Sequence, residues 1–256
     1  MQTKVYAGKI WERSNFLVFS PELLGLFNSK DTLVLLKNGN PPFRVVLGVP
    51  HQAAIGEPII AENWTNSLGE KGRDSDENAS SYALVTFAKL CDQNIPCKLV
   101  IAAHATDHDP NKDLASAYCK EVFSEETELL FECHGAGNGR KQDIEISAGT
   151  NSLINALDFG RHLANELNYK YSLSAQIEAN SKNAKSISGE KEVDTILVLP
   201  ALETTSLSQA KKNGIAALHL EAKPRFRIPE NNHSISDDGL VLGNAIAEVI
   251  LSKVSL

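Results

Sequence analysis

Residues 43–51, FRVVLGVPH, carry a nearly continuous apolar run into Gly48, Pro50 and His51. A run this short and this rich in Val and Leu reads as a buried strand. Gly48 permits close backbone approach, Pro50 stops the strand, and His51 is presented at the sheet edge. Working outward, comparable runs predict strands at 16–19, 32–37, 97–103, 128–133, 143–147, 195–199 and 215–220. Several are apolar without alternation, as expected of strands covered on both faces. Longer segments of helical period lie between them. Residues 80–93 place Leu84, Phe87, Ala88 and Cys91 on one face, with Asp74, Asp76 or Asn78 available as caps. Residues 152–167 repeat the pattern with Leu153, Leu157, Leu163, Ala164 and Leu167. Residues 237–253 do so with Leu242, Ile246, Val249 and Ile250 behind the first-turn acids Asp237 and Asp238. The alternation predicts an α/β fold, a three-layer α/β/α sandwich around a central mixed, largely parallel sheet. No internal repeat or low-complexity linker divides the chain, so 1–256 is read as a single domain.

The 256 residues are 42% apolar, enough to bury a full core. Lys plus Arg number 25 against 32 Asp plus Glu, a formal charge of −7, and no basic block exceeds a pair such as Arg140–Lys141. Phosphate binding needs a concentrated cationic face, so no nucleic acid and no anionic membrane surface is expected as a partner. The longest apolar stretches fall far short of the roughly 20 residues that span a bilayer. No secretory apolar region follows Met1, where Lys9, Glu12 and Arg13 intervene, and a soluble, cytoplasmic protein is expected. Cys91, Cys97, Cys119 and Cys133 form no C-x-x-C pair, which argues against a disulfide scaffold or a zinc knuckle.

Four predicted strands end on a group able to bind metal or move a proton: His51, His104, His134 and Glu221. In open α/β sheets ligands bind beyond the carboxyl ends of parallel strands, so these residues converge on one crevice. The acids Asp74, Asp76 and Glu77 precede a helix and either complement its N-terminus or lend one carboxylate to a metal set. Gly135, Gly137 and Gly139 after His134 admit substrate close to the backbone, but no phosphate-loop pattern is present. Cys133 beside His134 points to the opposite face of a strand, and a thiol hydrolase built on Cys133 and His104 is a competing reading. His219 and Glu221 share a face, with Lys223, Arg225 and Arg227 following: a base beside an anion-binding cluster, or an ordinary solvated basic turn. His104 and His108 either supplement the ligands, line the substrate side or sit on a solvated loop, and His162 and His233 read as surface residues. Two histidines and a carboxylate with one open position form the usual ligand set of hydrolytic zinc. A separate Glu moves the proton, and cations orient a substrate carboxylate. The residues thus point to hydrolysis of an amide in a small anionic substrate.

V-P-H at 49–51, D-S-D at 74–76, D-P-N-K at 109–112, E-C-H-G at 132–135, D-I-E-I at 143–146 and H-L-E at 219–221 stand in the order of motifs of the N-formylglutamate amidohydrolase family. The chain resembles that family over residues 43 to 225, through short motifs. The resemblance implies the phosphorylase/hydrolase-like, zinc-exopeptidase-like α/β/α architecture that zinc carboxypeptidases and succinylglutamate desuccinylases share. It implies Zn²⁺ held by His51, His134 and one acid of 74–77, Asp76 first and Asp74 or Glu77 in reserve. It implies Glu221 as general base and Asn111 with Lys112 as holders of a substrate carboxylate, while Arg225 and Arg227, read from the basic cluster itself, are expected to bind the substrate as well. Gln52-Ala53-Ala54 replaces the family's Ser-Gly, and Lys112 replaces an Arg, so bidentate carboxylate recognition is lost. The expected substrate is an N-acyl amino acid or small peptide. The alternative is a catalytically decayed or metal-free binding or scaffold protein on the same fold.

Overall fold

The computed structural model describes residues 1–11, 18–56, 76–105, 109–148, 154–178, 205–230 and 234–253. Its strands are β1 (Gln2–Val5), β2 (Thr32–Asn38), β3 (Val45–Ala53), β4 (Asp76–Glu77), β5 (Cys97–Ala103), β6 (Leu129–Gly135), β7 (Ile144–Ser147), β8 (Ala175–Glu178) and β9 (Ala216–Ala222). The helices are α1 (Pro21–Phe27), α2 (Ser80–Asp92), α3 (Ala117–Val122), α4 (Ile154–Asn165), α5 (Thr205–Lys212) and α6 (Asp237–Lys253). The strands form one mixed sheet in the order β1-β2-β5-β3-β6-β9-β7-β8, with β4 beside β3. β5, β3, β6 and β9 are consecutive parallel neighbours, whereas β2 and β7 run antiparallel to β5 and β9. These four central strands are the ones whose ends carry His104, His51, His134 and Glu221. The crevice at their carboxyl ends therefore follows from topology.

Alternation along the strands divides the core between the two faces. Val45, Leu47, Phe131, Cys133, Leu218 and Leu220 join Leu84, Phe87, Ile246 and Ile250 in one apolar cluster with α2, α4 and α6. Val46, Leu130 and Ala217 pack with Tyr118, Val122, Leu207 and Ala210 of α3 and α5 on the other. Each fully buried Leu or Ile contributes about 1.5–3 kcal/mol. α6 begins on Asp237 and Asp238 and buries Leu242, Ile246, Val249 and Ile250, matching its sequence pattern in full.

The acids before α2 behave differently from the expectation of helix caps. Asp76 and Glu77 pair with Gln52 and Ala53 as the short strand β4, and Ala79 at the N-cap position makes no side-chain cap bond. Instead Gln52 Oε1 accepts the Ser80 N–H at 2.8 Å, so a residue of β3 satisfies the start of the helix. Of the strand expected at 16–19, Phe19 makes a single antiparallel bridge to Trp11 and residues 16 and 17 lie outside the described residues. The strand expected at 195–199 lies wholly outside them. Among the described residues no helix is long and apolar enough to cross a membrane.

Gly48 has a steric task. A Cβ there would overlap Tyr118 Oη and stand 3.3 Å from Glu132 Cγ, so only glycine lets the tyrosine lie against β3. Tyr118 is fully buried and donates to Glu132 Oε1 at 2.9 Å. Gly48→Ala is expected to cost about 1–3 kcal/mol by overpacking. Combined with Tyr118→Phe, which removes the offending oxygen, the loss should fall short of the sum by about 0.5 kcal/mol or more. Urea unfolding of the two single variants and the double variant measures this coupling, and strict additivity would refute the contact.

Candidate metal centre

His51 enters the crevice through an irregularity in β3. The parallel register with β5 shifts between Val49 and Gln52, which turns Pro50 and His51 relative to the regular pleat. His134 ends β6, and register pairs it with Glu221 of β9. Pairing of Gln52 with Asp76 seats the carboxylate beside His51. This register explains why Asp76, among the three acids of the cluster, reaches the histidines. Glu77 turns its carboxylate to the Gly56 N–H, and Asp74 lies outside the described residues.

Three donor atoms meet there. His51 Nδ1 lies 3.2 Å from His134 Nδ1 and 3.4 Å from Asp76 Oδ2, and His134 Nδ1 lies 3.0 Å from the same oxygen. All three residues are buried. Tetrahedral zinc with bonds of about 2.0–2.1 Å sets its donors roughly 3.3–3.4 Å apart. The observed triangle is about that size, contracted most on the His134–Asp76 edge. His51 Nε2 lies 2.8 Å from Asp109 Oδ1. With a metal bound, donation to that carboxylate would place the His51 proton on Nε2 and free the Nδ1 lone pair for the ion. Burial, reinforced by the charge of His219, holds His134 well below the usual histidine range and hence neutral. Burial alone would raise Asp76, but hydrogen bonding to His134 and His51 outweighs it and holds the carboxyl well below the usual range. A neutral His134 and an ionised Asp76 are protonation states a metal requires.

A second group, Glu132, His134 and His219, also brings potential donors together. Here the His134 and His219 rings are stacked, 3.9 Å between centroids and 23° between planes. Imidazole binds metal in the ring plane, and stacked rings send their lone pairs side by side, so this group is the poorer fit. Glu132 accepts from Tyr118 Oη and Ser206 Oγ, each at 2.9 Å, and burial raises its pKa. His219 Nε2 meets Glu221 Oε1 at 3.0 Å, which restrains the carboxylate on the strand next to His134. Glu145 lies opposite Glu221 on β7, and its burial pushes its carboxyl upward.

The remaining expected site residues divide. Asn111 is buried, and neither its Oδ1 nor its Nδ2 has a hydrogen-bond partner among the described residues. Lys112 Nζ lies 3.2 Å from Asp109 Oδ2, which links it to the residue that holds His51. Arg225 is half exposed and pairs with Asp143 at 3.1 Å and Asp238 at 3.4 Å. Arg227 is buried and donates to the carbonyls of Ala222 at 3.0 Å, Ala136 at 3.2 Å and Glu77. That placement differs from the expectation of a cation open to substrate, because all three guanidinium nitrogens already meet main-chain oxygens. His104 adopts φ +48° and is buried, with Nε2 accepting the Ala54 N–H at 3.2 Å, so it is no solvated loop residue. His108 and His233 lie outside the described residues. Cys133 faces the core on the far side of the sheet with its thiol pushed up by burial, the reverse of an activated nucleophile. Asp109 and Glu132 were given no role from the sequence, although both stand inside the D-P-N-K and E-C-H-G motifs.

Two histidines and a carboxylate converging over parallel strand ends define a candidate metal centre on an α/β/α sandwich. Among solved structures, a metallo-carboxypeptidase from Burkholderia cenocepacia aligns with 93% of this chain and 70% of its own at 12% identity and a TM-score of 0.52. An N-formylglutamate amidohydrolase from Ralstonia eutropha aligns with 86% of this chain and 96% of its own at 10% identity and a TM-score of 0.50. At such identities the likeness establishes the shared fold. No protein-family model and no curated protein matches the sequence.

The depressed His134 pKa has a consequence for stability. The unfolded chain takes up a proton near pH 6.5 that folded His134 refuses, so stability is lost as pH falls below that value. In chelator the protein should lose up to about 1.4 kcal/mol per pH unit from this group, and His134→Gln should flatten the slope. Urea unfolding at about pH 7.5 and about pH 5.5 tests it; an unchanged slope in the variant refutes it.

Proposed function

We propose that the protein is a zinc-dependent hydrolase of amide bonds, acting on a small N-acyl amino acid or peptide-like substrate. The donor triangle of 3.0–3.4 Å carries the reading, and the fold it shares with the metallo-carboxypeptidase and the amidohydrolase supports it. His51, Asp76 and His134 would hold the ion, with Asp109 fixing the His51 tautomer. Zinc bound there supplies a Lewis acid and lowers the pKa of a coordinated water to about 7.

The chain's own residues supply the rest. Glu221, in register with His134 and held by His219, takes the proton from the attacking water and returns it to the leaving amine. The partnerless amide of Asn111 is buried without compensation, which is costly until a polar group arrives. A substrate carboxylate supplies that group, and Lys112, braced by Asp109, adds a point charge where a guanidinium would grip both oxygens. Gly135 and Gly137 follow His134 directly, where an acyl group would enter.

Protein prepared with zinc should hold about one ion per chain, and His51→Ala or His134→Ala should lose it. Asp109→Ala should weaken zinc binding by roughly 10–100-fold. Glu221→Gln should keep the metal and lower kcat by roughly 10²–10⁴-fold, as removal of a general base does. Metal analysis followed by a screen of N-acyl amino acids and dipeptides, with and without chelator, decides the matter. Absence of any zinc affinity sinks the proposal, and zinc without hydrolysis across the screen favours the catalytically decayed binding protein.

A further inference from the structure

We propose that Arg227 is a positioning residue of the metal centre, holding the three segments that carry Asp76, His134 and Glu221 in one fixed arrangement; the proposal rests on the metal-centre reading above. Its guanidinium makes one hydrogen bond to each segment. Nε donates to the Ala222 carbonyl at 3.0 Å, next to Glu221. Nη1 donates to the Glu77 carbonyl, next to Asp76. Nη2 donates to the Ala136 carbonyl at 3.2 Å, two residues beyond His134. The planar fork of donors suits three acceptors spread around it, an arrangement that a lysine ammonium on a flexible stem cannot reproduce.

The need for such a clamp lies in β4. Asp76 sits on a strand of two residues held to β3 by two register pairs, and a ladder that short fixes a carboxylate poorly. Arg227 adds a charge-assisted bond to the very next peptide group. The main chain of Arg227 is tied in turn: its carbonyl accepts from Asn78 Nδ2 at 2.5 Å, and Asn78 adopts φ +54° to make the bend from β4 into α2. Gly135 completes the device. A Cβ at that position would stand 2.5 Å from Arg227 Cζ and 2.7 Å from Nη1, so glycine directly after His134 is what admits the guanidinium. The residue is buried and its nitrogens are engaged, so it acts on the metal through Asp76 and His134 and not by touching substrate.

The test compares zinc affinity, by competition with a chromophoric chelator, and the visible spectrum of the cobalt(II)-loaded protein in the parent, Arg227→Lys, Gly135→Ala and Arg161→Lys. Arg161 lies on α4 and pairs with Asp158, away from the clamp, and serves as the control. Arg227→Lys and Gly135→Ala should each bind zinc roughly 10–100-fold more weakly per folded molecule and show an altered cobalt spectrum, with Arg161→Lys like the parent. Circular dichroism of the metal-free proteins gives the folded fraction, and if Arg227→Lys does not fold, Gly135→Ala decides, since it keeps the arginine and displaces it. Folded variants with parental affinity and spectrum overturn the clamp alone. A parent that binds neither zinc nor cobalt overturns the metal-centre reading and the clamp with it.

Discussion

Two buried imidazoles and a buried carboxylate pointing at one another within 3.4 Å is the constraint around which the molecule is organised. Nitrogen and carboxylate donors converging in a site shielded from water need a proton or a cation between them where side-chain rearrangement is blocked. Rearrangement is blocked here. His51 is tied to Asp109, His134 is stacked on His219, and Asp76 is held by the short β4 ladder together with the bond from Arg227 to the Glu77 carbonyl. Beneath the donors lies a layer in which Glu132, Tyr118, Ser206 and His219 are bonded or stacked within the protein.

Most of the fold was legible in the sequence where local signals agreed. The four central strands were read to within a few residues, and α6 was read to its ends because Asp237 and Lys253 bracket a clean helical stripe. What escaped notice had weak local signals. β1 is exposed at every position and shows no alternation, so only its parallel pairing with β2 makes it a strand. β4 is two acidic residues that no propensity would place in a sheet, and its formation is decided by β3 alone. α1, α3 and α5 are short, so few turns of periodicity mark them.

The site was legible as a list of strand-end residues and not as a geometry. His51, His134 and Glu221 follow from the rule that parallel strands deliver their carboxyl ends to one crevice, and the structure brings them together. Choosing Asp76 over its neighbours depended on a register that the long preceding segment conceals. Asp109 was hidden among Asp107 and Asp113 in the same loop, with nothing local to choose between them. Arg227 shows the limit of charge read without burial: a cation in a basic run suggests a ligand for anions, yet its guanidinium donates to main-chain oxygens.

The register of β4 also bears on how such a protein can change over evolutionary time. Because Asp76 is placed by Gln52 and not by the length of chain that leads to it, the connection from Ala53 to Asp76 is free to grow or shrink. Each doubling of such a connection costs only about 0.6 kcal/mol of closure entropy. The length of that connection can therefore change while Asp76 stays paired with Gln52, and the sequence it carries can vary without a new fold.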